Sequence, residues 1–130
     1  MEKLTNTNFA DKAEKVIKSL VETDRRGNPK IKMTTSKIRN LLSMTNVLYN
    51  QARQLKTELL PEEIKKDVQY LKMRFAYEYG REPSVKSFVE KAEIIGHLNN
   101  VGDSRENLLL FCNYMESLVA YHRYYGGKDR

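Results

Sequence analysis

Three prolines and six glycines are the strong breakers in 130 residues, and they fall between stretches whose apolar residues recur at helical spacing. Phe9, Ala13, Val16, Ile17 and Leu20 fit one face of a helix from about Asn8 to Thr23. The next segment, residues 24–33, holds Gly27, Asn28 and Pro29 and is expected to be a mobile loop. Thr34–Ser36 are good helix-start types for a second helix to about Thr57, with Ile38, Leu41, Leu42, Leu48, Ala52 and Leu55 inward. Pro61, Glu62 and Glu63 open a third, since proline suits a first turn and carboxylates suit the positive end of the dipole. Its core face is Ile64, Val68, Leu71 and Phe75, and Gly80 ends it. A fourth helix from Pro83–Ser84 to Asn99–Asn100 buries Val85, Phe88, Val89, Ala92 and Ile95. Asp103 and Glu106 form a capping-box pattern before a last helix with Leu108, Phe111, Cys112, Met115, Val119 and His122 inward. No stretch alternates with period two. The expected fold is all-α: residues 1–130 form a single compact bundle of about five helices.

A chain this long buries roughly two-thirds of its unfolded surface, so a core forms without disulfides or a metal. The single cysteine, Cys112, has no internal partner, which fits a reducing compartment. No run approaches the roughly 20 apolar residues of a membrane span, and no signal-like segment opens the chain. A soluble, cytoplasmic protein is expected.

Catalytic constellations are absent from the pattern. His97 and His122 are the two histidines, and no CxxC, HExxH or metal-type pairing occurs. His97 lies near a helix C-terminus, where capping of free carbonyls is the expected role. His122 reads as a satisfied core histidine and Cys112 as a small core residue. The expectation is no enzyme, no cofactor and no metal.

Charge carries the functional signal. Residues 25–57 contain no carboxylate, yet hold Arg25, Arg26, Lys30, Lys32, Lys37, Arg39, Arg53 and Lys56. The formal charge of +6 is therefore local, because the rest of the chain carries 15 bases against 17 acids. A local basic surface on a small domain faces phosphates more often than not. On the second helix Arg39, Ser43, Asn46, Asn50 and Arg53 follow one line, and Lys37 lies near its positive N-terminal end. Guanidinium forks match phosphates, and amides or hydroxyls reach sugar oxygens. On the third helix Tyr70, Arg74, Tyr77 and Arg81 form a second line, the arginines read as phosphate ligands and the tyrosines as inward packing. Tyr121, Arg123, Tyr124 and Tyr125 make a more aromatic cluster, with Arg123 a further candidate. The bland reading of the second-helix line is a solvated face, weakened here because no acid is available for intrahelical ion pairs. Nothing promises base readout: residues 94–102 supply no basic recognition helix.

Three motifs then occur in order: TTSKIRNL at Thr34–Leu41, YLKMRF at Tyr70–Phe75 with YGRE at Tyr79–Glu82, and YMESLVAY at Tyr114–Tyr121. Together they closely resemble the small subunit of the type III-A (Csm) CRISPR effector complex, over nearly the whole chain. The resemblance implies a non-catalytic subunit of an RNA-guided ribonucleoprotein. Its partners would be the backbone of the guide RNA–target RNA duplex or single-stranded DNA, other copies of itself stacked head to tail, and the backbone and large subunits. Lys37, Arg39 and Arg81 carry over within the matched motifs, and Arg74 with them. Arg53 and Arg123 rest on charge and helical spacing alone. A rival expectation is a structural adaptor whose basic face docks an acidic protein. A stand-alone DNA-binding regulator would need a stable dimer and a site-specific footprint, which nothing in the sequence suggests.

Overall fold

The computed structural model describes residues 2–129. Helix α1 (Phe9–Leu20) is followed by a hairpin of β1 (Val21–Thr23) and β2 (Pro29–Ile31), then by α2 (Thr35–Arg53), α3 (Glu62–Arg81), α4 (Pro83–Lys91), α5 (Ile94–Asn99) and α6 (Arg105–Tyr124). The fold is thus mostly helical, as expected, with two departures.

The first is the hairpin. The first helix stops three residues early and residues 24–33 are not loop throughout: Val21 pairs with Ile31, Glu22 with Lys30 and Thr23 with Pro29. Asp24 builds the turn, its carboxylate accepting from the Arg26 and Asn28 amides at 2.9 Å each, while Gly27 takes the φ of +82° that a side chain resists. Ile31 and Met33 are then buried, which fixes the pairing register.

The second departure is at Glu93, whose left-handed backbone (φ 53°) splits the expected fourth helix into α4 and α5. Left-handed geometry costs a non-glycine residue about 1–2 kcal/mol. The break is tolerated because Tyr114 Oη donates to the Ala92 carbonyl at 2.9 Å, satisfying an acceptor left over at the end of α4. It also turns Ile94, His97 and Leu98 into the core.

Helix α6 is the hub, packing along both α1 and α2. Its buried side runs Leu108, Phe111, Cys112, Met115, Leu118 and His122. Phe75 of α3 meets Phe111 edge-on at 6.5 Å. The α6 cap is Ser104, whose hydroxyl accepts from the Asn107 amide at 3.1 Å, and not the Asp103–Glu106 box. Helix α2 starts on Thr34, which accepts from the Lys37 amide, and ends at Arg53, short of Thr57. It ends there because Arg105 donates to the Ala52 and Arg53 carbonyls at 2.7 and 3.3 Å, tying the α2 terminus to α6.

The two histidines divide. His122 is buried, with Nε2 at 2.7 Å from the Met33 carbonyl, the satisfied core role expected of it. Gly127 lies against that ring so closely that a Cβ there would stand 2.1 Å from Cε1. His97 corrects its expectation: it is buried and packs edge-on to Tyr114 at 5.1 Å instead of capping carbonyls. Burial lowers the pKa of both imidazoles. Burial likewise pushes the Cys112 thiol up to about 12.

Candidate nucleic-acid interface

Helix α2 buries Ile38, Leu41, Thr45, Leu48 and Ala52 and turns the opposite side outward. Arg39, Ser43, Asn46, Asn50 and Arg53 are all exposed, so the line inferred from spacing is a real surface. Its two guanidiniums stand 14 residues apart, about 21 Å along the axis. Neither has an ion-pair partner among the described residues. The Arg53 guanidinium lies over the Tyr49 ring at 5.5 Å, which steadies the side chain without neutralising it. Ser43 Oγ donates to the Arg39 carbonyl at 3.0 Å and keeps its lone pairs outward.

Folding supplies carboxylates that the sequence window lacks. Lys37 Nζ holds Glu82 at 2.9 Å, and this bridge draws the Glu82 pKa down. Lys32 approaches Glu22 at 3.8 Å across the hairpin. Lys37 therefore reaches a ligand only by exchanging Glu82 for it. Arg81 has a looser partner, Glu78 at 3.6 Å, and lies 5.9 Å from the Tyr77 ring centre.

The Lys37–Glu82 bridge sets the start of α2 beside the end of α3, so the two helices run antiparallel. Thr35 also donates to the Lys128 carbonyl, which brings the end of α6 to the same place. Lys37, Arg39, Arg81 and Arg123 thus gather at one end of the bundle. Arg53 stands at the other, with Arg74 part-way along α3. Arg123 is exposed and free of ion pairs among the described residues. The ordered hairpin adds Arg25, Arg26 and Lys30, exposed on a turn that spacing arguments had passed over as mobile. The Asp24-Gly27-Asn28 turn chemistry was the available signal for it.

The tyrosines of the third helix need a correction. Tyr70 and Tyr77 are 57% and 60% exposed, so they do not pack inward. The core stripe of α3 is complete with Ile64, Val68, Leu71 and Phe75, which leaves the rings outside it.

Among the described residues no three His, Cys, Asp or Glu side chains group as metal ligands, and no helix is long and apolar enough to cross a membrane. Fold and surface together define a small, mostly helical module with exposed basic side chains on α2 and on the β1–β2 hairpin. The comparisons with known proteins agree in kind. The family model described as Csm2 Type III-A matches residues 8–128. The CRISPR system Cms protein Csm2 of Streptococcus thermophilus is 48% identical over 126 residues, covering 97% of this chain and 98% of that protein. Its counterpart in Mycobacterium tuberculosis (strain CDC 1551 / Oshkosh) is 47% identical over 109 residues, covering 81% and 88%. That of Enterococcus italicus is 36% identical over 128 residues, covering 94% and 90%. The chain belongs to this family, the Csm2 small subunits of type III-A CRISPR systems.

Proposed function

We propose that this chain is a non-catalytic subunit of the Csm effector complex that holds bound RNA by its phosphates, without reading sequence. The observation that carries the proposal is the outer face of α2: two unpaired guanidiniums about 21 Å apart, joined by small polar side chains. Arg81 and Arg123 extend that face at one end of the bundle, and Lys37 joins it when Glu82 lets go. Arg74 belongs to the same cationic set but has an apolar setting of its own. The non-catalytic part rests on where the reactive groups are: Cys112, His97 and His122 are buried, the thiol is held protonated, and both imidazoles are held neutral at neutral pH. The ligand is the backbone of the guide RNA–target RNA duplex, or a single-stranded nucleic acid, in the cytoplasm. Copies of the subunit stack head to tail beside the backbone and large subunits.

Charge reversal tests the RNA contact. In the assembled complex, Arg39→Glu with Arg53→Glu is expected to weaken target-RNA binding and flatten its salt dependence. Unchanged affinity with an unchanged salt slope would refute it. The adaptor reading has one observation in its favour: Lys37 and Arg81 already hold carboxylates. Heparin separates the two, since it strips RNA from a phosphate face but leaves a docked protein subunit in place.

A further inference from the structure

The exposed polar line on α2 extends one step beyond Arg39, to Ser36. Ser36, Arg39, Ser43, Asn46, Asn50 and Arg53 recur at intervals of three, four, three, four and three, and all six are exposed. From Ser36 to Arg53 the line covers 17 residue steps, about 25 Å along the axis. Its first side chain is already engaged: Ser36 Oγ donates to Asp129 Oδ1 at 3.0 Å. Among the described residues, Asp129 is the one carboxylate bonded to a side chain of this line. Glu82, also at this end of the bundle, is taken up by Lys37, which points off the line.

Asp129 lies 93 residues away in sequence, and the fold brings it there by a defined route. After α6, Gly126 takes a φ of +97°, and the Gly127 amide donates to the His122 carbonyl at 2.7 Å. Gly127 is buried against the His122 ring, where no Cβ would fit. The Lys128 carbonyl then accepts from the Thr35 amide at 3.0 Å, which lays residues 126–129 as a strap across the first turn of α2. Two backbone bonds and a buried glycine thus carry the Asp129 side chain to the start of the line. A carboxylate there is favoured by the positive end of the helix. Arg39 is three residues on from Ser36, one turn along the same face, so the Asp129 charge offsets part of its pull on an incoming anion. A carboxylate and a phosphate diester are both anions that accept from a hydroxyl, so they compete for Ser36 and for the field of Arg39.

We propose that the strap of residues 126–129 is a built-in competitor: Asp129 occupies the start of the α2 face, and a nucleic-acid phosphate takes its place on Ser36 when the face is engaged. The inference rests on the phosphate reading of α2, and adds to it a restraint on binding and Ser36 as a further contact residue. The strap is held by main-chain bonds at Gly127 and Lys128, so the Asp129 side chain can turn away while the strap stays seated. The exchange gives up one exposed hydrogen bond, which makes the restraint a few-fold effect for each copy.

Target-RNA binding by the assembled complex tests this, wild type beside Asp129→Asn, which keeps the side-chain size and removes the charge at an exposed position. Asp11→Asn is the charge-matched control, exposed in the first turn of α1 and outside the α2 line. At about 0.1 M salt, Asp129→Asn is expected to tighten binding roughly two- to fivefold. It should also steepen the log–log salt slope by up to about 0.7, because the phosphate then releases counterions where it had displaced a carboxylate. Asp11→Asn should leave both nearly unchanged. In a Ser36→Ala background the gain from Asp129→Asn should vanish, since the carboxylate is no longer held on the line. A gain no larger than that of Asp11→Asn, or one that survives Ser36→Ala in full, would overturn the proposal. So would weaker binding by Asp129→Asn, which would make the strap a support for α2 and not a competitor. Arg39→Glu/Arg53→Glu, measured alongside, separates the two failures: a flattened slope there with no response at Asp129 removes the strap and leaves the phosphate face standing. No response from any variant would overturn both.

Discussion

Replacing Gly127 by alanine adds one methyl group, and the structure says where it goes. An ideal Cβ would lie 2.1 Å from His122 Cε1, 2.2 Å from Nδ1 and 2.6 Å from Nε2. Three atoms of one ring are struck at once, so no rotation of the imidazole relieves the clash. Moving the ring takes Nε2 away from the Met33 carbonyl, now at 2.7 Å, and leaves a buried acceptor unpaired. Moving the backbone instead breaks the 2.7 Å bond from the Gly127 amide to the His122 carbonyl and disturbs the neighbouring Thr35–Lys128 bond. Overpacking costs about 1–3 kcal/mol and a stranded buried polar group about 1–3 kcal/mol more. Together that is roughly 2–6 kcal/mol. A domain of this size loses about 4 °C of melting temperature per kcal/mol, so the Tm should fall by about 8–24 °C. Gly80→Ala is the matched control: nothing lies within 4 Å of its Cβ position, and it sits in the last turn of α3. There alanine should stabilise by up to about 0.5–1 kcal/mol through helix propensity. Circular dichroism melts of the three proteins suffice. A Gly127→Ala protein that melts within 2 °C of wild type would refute the close approach.

Stability should fall as the pH drops from about 6.5 toward 5. His97 and His122 have lowered pKa values in the fold, so the unfolded chain takes up protons first and stability declines with falling pH through that window. Melts across pH 5–8 would show it, and a flat profile would contradict it. The further loss expected below the usual carboxylate range includes the Lys37–Glu82 bridge, since the Glu82 pKa is lowered by Lys37. Cys112, buried and pushed up to about 12, should resist thiol reagents until the protein unfolds; prompt labelling of native protein would contradict that burial. Arg105→Ala should cost about 1–3 kcal/mol by freeing the Ala52 and Arg53 carbonyls, with faster amide exchange at the end of α2 than elsewhere in the helix.

The long helices were legible because each carries a regular apolar stripe with its own start and stop. Ile64, Val68, Leu71 and Phe75 are a strict period and all are buried. What spacing could not supply came from contacts distant in sequence. The split at Glu93 depends on Tyr114, 21 residues away, reaching the Ala92 carbonyl. The early end of α2 depends on Arg105, and the hairpin on burying Ile31 and Met33. At the candidate site, exposure of the α2 polar line followed from its periodicity. The acid-free window was less informative than it looked, because Glu82 and Glu22 return in space to Lys37 and Lys32. Exposure of Tyr70 and Tyr77 was misread, since tyrosine suits a core rim and an outer docking face equally well in sequence.

The central claim is that the outer face of α2 grips phosphates, and a salt titration tests it most directly. Binding of target RNA by the assembled complex would be measured against salt concentration, wild type beside Arg39→Glu/Arg53→Glu. Each phosphate contact contributes roughly 0.7 to the log–log slope on a single strand and about 0.9 on a B-form duplex, so losing two should flatten it by about 1.4–1.8. A slope reduced by that amount, with weaker binding at low salt, is the predicted result. An identical slope in the two complexes would mean that α2 faces a protein or solvent, and would contradict the account.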